Sequence, residues 1–132
     1  FSHLQILWWG HLCDSPVMRE KLDLGQLFRN GPENTGSFAT RSPVRPNPIM
    51  VSIIRVSGLD QAKGTILTPF LDAEPGTPVL DIKPYMKMER VKECSVPHWC
   101  SDWPQWQEEA AVYDWSKVIL EPGQRTRNTS ST

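Results

Sequence analysis

The sequence predicts an all-β fold, a barrel or a sandwich, with Pro-rich loops and one short Trp-rich helix near its C-terminal end. Three observations predict it. The chain carries 12 prolines in 132 residues, a density that interrupts helices. Short runs of β-formers alternate with turns containing Pro and Gly, the pattern of a small all-β domain. Helical spacing is confined to the tail, where Trp103, Trp106, Ala110 and Tyr113 recur on one face.

Taken in order, residues 1–12 read as a strand with Leu4, Ile6 and Trp8 on one face. Asp14-Ser15-Pro16 breaks it. A helix is expected over 16–24, with Ser15 as N-cap and Pro16 at its first position. Residues 29–37 have loop composition. In 38–49, FATRSPVRPNPI, the prolines at 43, 46 and 48 forbid both regular helix and central strand. A loop with φ fixed at those positions is preorganised and loses little entropy on holding a ligand. Residues 50–56 form a strand ending at Gly58, and 65–71 form another that Pro69 places at an edge or bulge. DAEPGT, 72–77, is a turn. Residues 78–83 form a strand with Val79 or Leu80 inward, ended by Pro84. In the tail, Asp102 and Gln105 resemble a capping box and open a helix over 103–115. Its aromatic stripe is expected to pack on the barrel or on a second subunit. Residues 122–132 are expected to be flexible.

The charge balance is near neutral, 14 Lys+Arg against 15 Asp+Glu. That excludes a chain-wide basic field for nucleic acid, but not a local patch. Arg41, Arg45 and Arg55 form one with no acid between them, whereas the stretch after His98 is acidic. No apolar run approaches the length of a membrane span, about 18 residues. The opening Phe1-Ser2-His3-Leu4 lacks the features of a secretory leader and of an initiator, so the chain reads as beginning inside a longer product. Three cysteines without a CxxC pair suit a reducing cytoplasm. Cys94, His98 and Cys100 match no common zinc spacing, and no metal is expected.

Two segments are specific enough to carry a family resemblance: FATRSPVRPNPI and, further on, GTPVLDIKPY, preceded at the start by FSHLQILWWGH. Together they resemble the TsaA-like family, also called YaeB or TrmO, from Phe1 to about Tyr85. The resemblance implies a small single-domain β-barrel over 1–90, with a Trp-rich tail over 91–121. It implies an S-adenosylmethionine-dependent methyltransferase that acts on tRNA, methylating N6 of threonylcarbamoyladenosine beside the anticodon. It implies a homodimer with the cofactor near the subunit interface, and a strand and loop preceding Phe1. The family has Gly where Met50 stands and Asp where Pro75 stands.

The cofactor residues that the resemblance implies are His11, Leu12, Arg41, Val51, Leu71, Asp72, Glu74, Pro75, Gly76 and Thr77. Arg41 would hold the cofactor carboxylate. Arg45, Asn47, Lys83 and Tyr85 would meet the substrate, and His11 or Asp81 would accept a proton. Two rival readings remain at this point: a methyltransferase of the same fold acting on a small molecule or another RNA, and a non-catalytic S-adenosylmethionine-binding protein.

Overall fold

In the computed structural model, which describes residues 1–125, the chain divides into two compact units. The first comprises Phe1–Lys21 and Arg41–Lys92; the second comprises Leu22–Thr40 and the chain from Glu93 onward. Leu22–Thr40 groups with the tail, whereas the sequence places it within the 1–90 segment.

The first unit is built on β1 (His3–Trp9), β2 (Ile49–Arg55) and β5 (Val79–Pro84), an antiparallel sheet in the order β2-β1-β5. β1 is central: His3 pairs with Arg55 and Trp9 with Ile49 on one side, and Leu4 pairs with Pro84 on the other. The alternation read from the sequence is realised. Ile6, Trp8 and Ile54 are buried, with Leu4, Met50, Ile66, Leu71 and Ala73 packed against them. A two-residue period along β1 and β2 delivers these side chains to one face. Ile66 comes from a separate hairpin, β3 (Gly58–Asp60) with β4 (Thr65–Leu67). Sequence reading stopped a strand at Gly58 and missed β3. The signal was present in Asp60, whose Oδ1 accepts from Lys63 N, and in Gly64, which takes φ 63° to close the turn. β4 is shorter than expected, ending before Pro69, which has no N–H for a ladder.

β5 corrects another expectation. Val79 and Leu80 are both about half exposed, 52% and 51%, rather than inward. The register slips between Leu7, opposite Asp81, and Trp8, opposite Val79, so Leu80 is an extra residue at a bulge. The sheets hold few strands and few helices accompany them; no ladder among the described residues closes into a barrel. No helix among the described residues is long and apolar enough to cross a membrane.

The early helix is real but short. α1 covers Pro16–Arg19, and Ser15 Oγ accepts from Met18 N as the N-cap predicts. It does not reach Leu24, because Leu22 and Leu24 enter a backbone pairing within the second unit: Leu24 N donates to Thr35 O and Ser37 N to Leu22 O. There, too, Arg29 N donates to Val118 O and Leu120 N to Leu27 O, which ties Leu22–Thr40 to the tail.

The Trp-rich helix is also shorter than predicted. α2 spans Gln107–Val112, and Trp106 is its N-cap without a side-chain bond. Pro104 is the physical reason: it disfavours helical backbone at Trp103, so the Asp102–Gln105 cap does not form. The rings pack as a cluster rather than a stripe. Phe28 stacks on Trp99 at 5.1 Å, and Trp103 meets Phe28, Trp99 and Trp115 edge-on. Trp106 stays outside, 61% exposed. The expected flexible terminus lies outside the described residues from 126 on; within them, Pro122–Gln124 form a 3₁₀ turn.

Candidate functional site

β1 ends between two proline-containing segments. Trp9 N donates to Pro78 O at 3.0 Å, and Gly10 N to Pro48 O at 2.8 Å. Pro48 is fully buried, which makes the Pro-rich loop a wall rather than a flap. A Cβ on Gly10 would lie 3.1 Å from Pro43 Cβ and 3.3 Å from Pro48 Cβ, so glycine is what lets the strand and loop approach. Beyond Gly10, His11–Cys13 turn through one 3₁₀ turn.

This convergence opens a cleft of about 220 Å³ lined by Trp8, Gly10, His11, Leu12, Cys13, Pro43, Asp72, Glu74 and Thr77. Of the residues singled out for a cofactor, His11, Leu12, Asp72, Glu74 and Thr77 meet here. Glu74–Thr77 form a turn with Pro75 and Gly76 central; Gly76 takes φ 86°, as the third position of a type II turn requires. Thr77 Oγ1 donates to Glu74 O at 2.5 Å and fixes the turn.

The other candidates lie elsewhere. Arg41 does not line the cleft, and its Nη2 donates to Val51 O at 2.9 Å. Val51, Leu71, Pro75 and Gly76 are also outside the lining. Arg45 Nη1 donates to Ser42 O, and Asn47 Oδ1 accepts from Arg19 Nη2 at 3.1 Å. Asp81 and Lys83 sit on β5 opposite Leu7 and Gln5, with Asp81 Oδ1 accepting from Ile82 N. Tyr85 meets the His3 ring edge-on.

Four of the lining residues went unnoticed as site residues in the sequence: Trp8, Gly10, Cys13 and Pro43. Gly10 carried a legible signal, since glycine inside a strand run marks close backbone approach. The two-residue period places Trp8 on the core face, and its side chain belongs to both core and cleft. Arg19 was missed as well. Its guanidinium lies 5.6 Å from the Trp9 ring centroid while Nε donates to Pro46 O at 2.6 Å, so it staples the Pro-rich loop to β1.

The cleft surface is mainly apolar. Its lining includes the carboxylates of Asp72 and Glu74 and no Lys or Arg. The imidazole of His11 has no hydrogen-bond partner among the described residues and is half-buried. Apolar walls from Trp8, Leu12 and Pro43 suit a planar or aliphatic group, and the carboxylates suit a cation. Among the described residues no cluster of His, Cys, Asp and Glu could hold a metal ion.

A model of the family described as the tRNA-methyltransferase O N-terminal domain matches residues 1–89. The chain belongs to this family. The match covers the whole of β1 through β5 and every residue lining the cleft. Among relatives of the tRNA-methyltransferase O N-terminal domain, the chain is 42% identical over 82 residues to a probable S-adenosyl-L-methionine-binding protein of Pyrococcus horikoshii, covering 61% of this chain and 55% of that one. It is 39% identical over 88 residues to a tRNA (adenine(37)-N6)-methyltransferase of Escherichia coli, covering 65% of this chain and 37% of that one. A crystal structure of TrmO from P. aeruginosa is similar at TM-score 0.52 and 30% identity, covering 74% of this chain and 37% of that one. The chain therefore spans about half or less of the length of these relatives.

Proposed function

We propose that this chain is the S-adenosylmethionine-binding part of a tRNA methyltransferase that methylates N6 of an adenine, threonylcarbamoyladenosine beside the anticodon. One observation carries the reading: all three family motifs reach the cleft, the first through Trp8, Gly10 and His11, the second through Pro43 and the third through Thr77. The printed names of the relatives support it.

The lining suits the cofactor. Trp8, Leu12 and Pro43 offer apolar surface to an adenine, and Asp72 and Glu74 offer anions to its cationic end. The cleft, about 220 Å³, is below the usual range for a whole ligand of this size, roughly 300–1,000 Å³. We read the missing wall as coming from a second copy of the chain in a homodimer. We likewise read the β2-β1-β5 sheet as part of a small β-barrel and the protein as cytoplasmic and metal-free.

When bound, the cofactor supplies an electrophilic methyl group. This chain's residues then mainly position and exclude water, because proximity and alignment dominate methyl transfer. His11, whose ring nitrogens have no hydrogen-bond partner among the described residues, is our candidate to accept the proton that the acceptor nitrogen loses. Asp81, engaged with its own strand, is the weaker candidate. Arg41 lies outside the cleft lining with Nη2 on Val51 O, so we assign it to the cofactor carboxylate only if the guanidinium turns from that carbonyl; Arg45, Asn47, Lys83 and Tyr85 are assigned to the RNA. The lining carboxylates and the binding-protein names of some relatives favour one second reading, cofactor binding without catalysis.

Titration calorimetry with S-adenosylmethionine, joined to mass spectrometry of nucleosides from tRNA incubated with the protein and cofactor, separates these. Binding with appearance of the methylated adenosine supports the enzyme. Binding without it promotes the second reading, and no binding at millimolar cofactor overturns both.

A further inference from the structure

We propose that Ser52 is a positioning residue that aims the Asp72 carboxylate at the cation of the bound cofactor; this rests on the S-adenosylmethionine reading of the cleft. The argument starts from a hydrogen-bond chain that runs out of the core. Trp8 Nε1 donates to Ser52 Oγ at 2.9 Å, and Ser52 Oγ donates to Asp72 Oδ1 at 2.5 Å. Trp8 and Ser52 are each 8% exposed, while Asp72 lines the cleft.

The polarity of this chain is fixed by chemistry. An indole N–H only donates, so the Ser52 oxygen accepts there and its single hydrogen is directed elsewhere. The nearest acceptor is Asp72 Oδ1. Ser52 sits on β2 opposite Ile6, in the hydrogen-bonded three-stranded sheet. Asp72 sits in the exposed loop before β5. A side chain held in the sheet thus fixes one carried on a loop. The fixed oxygen is Oδ1; Oδ2 has no hydrogen-bond partner among the described residues.

An anchored carboxylate with one oxygen unpartnered among the described residues, in a lining shared with the Glu74 carboxylate, is preorganised for a cation. The other titratable groups in the lining are His11 and Cys13. The methyl donor carries an ammonium and a sulfonium, so a cationic group is available to meet Asp72. A hydroxyl to carboxylate bond is charge-assisted, and its loss in Ser52→Ala frees the Asp72 rotamer.

The test is a double-mutant cycle on the full chain, read as S-adenosylmethionine affinity by calorimetry. Ser52→Ala is expected to weaken binding about tenfold, the equivalent of one charge-assisted hydrogen bond. Asp72→Asn keeps an acceptor for Ser52 but removes the charge, and should weaken binding at least as much. The double variant should bind like Asp72→Asn alone, because Ser52 acts only through that charge. Ser52→Thr keeps the hydroxyl and should restore most of the affinity. If Ser52→Ala does not fold, as judged by near-ultraviolet circular dichroism, Ser52→Cys is used in the cycle, its weakly donating thiol predicting a smaller loss of affinity that again vanishes in the Asp72→Asn background. Additive losses in the double variant, or a Ser52→Thr as weak as Ser52→Ala, overturn the proposal. A wild-type chain that does not bind the cofactor overturns the cofactor reading itself, which is a different result.

Discussion

Gly10 and Pro43 are packed so closely that a Cβ at position 10 would come within 3.1 Å of the Pro43 Cβ. Neither partner can yield easily: Pro43 is a ring in a loop of fixed φ, and Pro48 on the other side is buried. The Gly10 backbone has φ −75°, which alanine tolerates, so the constraint is packing rather than conformation. Gly10→Ala is expected to cost about 1–3 kcal/mol, the range for overpacking. Urea unfolding measures it, and a loss under about 0.5 kcal/mol, the range of a bland surface change, would show that the loop moves aside.

Arg19 joins three features: the Trp9 ring, Pro46 O and Asn47 Oδ1. The side chain is exposed, so its effect on global stability is small, about 1 kcal/mol or less. The larger expected effect of Arg19→Ala is local, a faster amide hydrogen exchange at Val44, Arg45 and Asn47. Arg19→Lys should not rescue it, because an ammonium lacks the planar fork that bonds and stacks at once. Exchange rates that match the wild type would mean the prolines hold the loop unaided.

Thr35 is 1% exposed, and its Oγ1 is buried without a hydrogen-bond partner among the described residues. A buried hydroxyl with no partner keeps its desolvation cost. Thr35→Val has nearly the same shape and removes that cost, so stability should stay level or rise by up to about 1–2 kcal/mol. A fall in the thermal midpoint would show that the hydroxyl is bonded through water.

Asp114 caps the 3₁₀ turn Trp115–Lys117. The Ser116 hydroxyl donates to Asp114 Oδ1 at 2.5 Å and is the main cause that holds the carboxyl below its ordinary range; desolvation opposes it, and the Ser116 N–H and Lys117 add smaller effects in the same direction as the hydroxyl. Because the folded value lies below the unfolded one, the stabilisation is present above the unfolded value, about 3.9, and is lost as pH falls through the folded one. Carbon-detected NMR titration should place the Asp114 midpoint below that of an unfolded peptide. Ser116→Ala should raise it, and an unchanged midpoint would remove the hydroxyl as the main cause.

Local features were legible where a single residue type dictates geometry. The Ser15 cap, the alternation of Leu4, Ile6 and Trp8, and the Pro75-Gly76 turn all follow from side-chain oxygen, strand period and glycine φ. Two departures have different causes, a local proline rule in the tail and a strand register in β5. Pro104 stops the tail helix before Gln107, and Leu80 is displaced by a bulge that no periodicity reveals.

The sequence by itself determined the family, the strand faces and the rigidity of the Pro-rich loop, because these depend on motif, period and fixed φ. It also named His11, Leu12, Asp72, Glu74 and Thr77 for a common site. Only the tertiary structure decided that these meet beside Trp8 and Pro43, that Arg41 is turned to Val51 O, and that Ser52 anchors Asp72. The physical reason is distance along the chain. A hydrogen bond from Ser52 to Asp72 depends on how β2 is registered against β1 and where the loop before β5 returns, and no pattern in either segment encodes that separation.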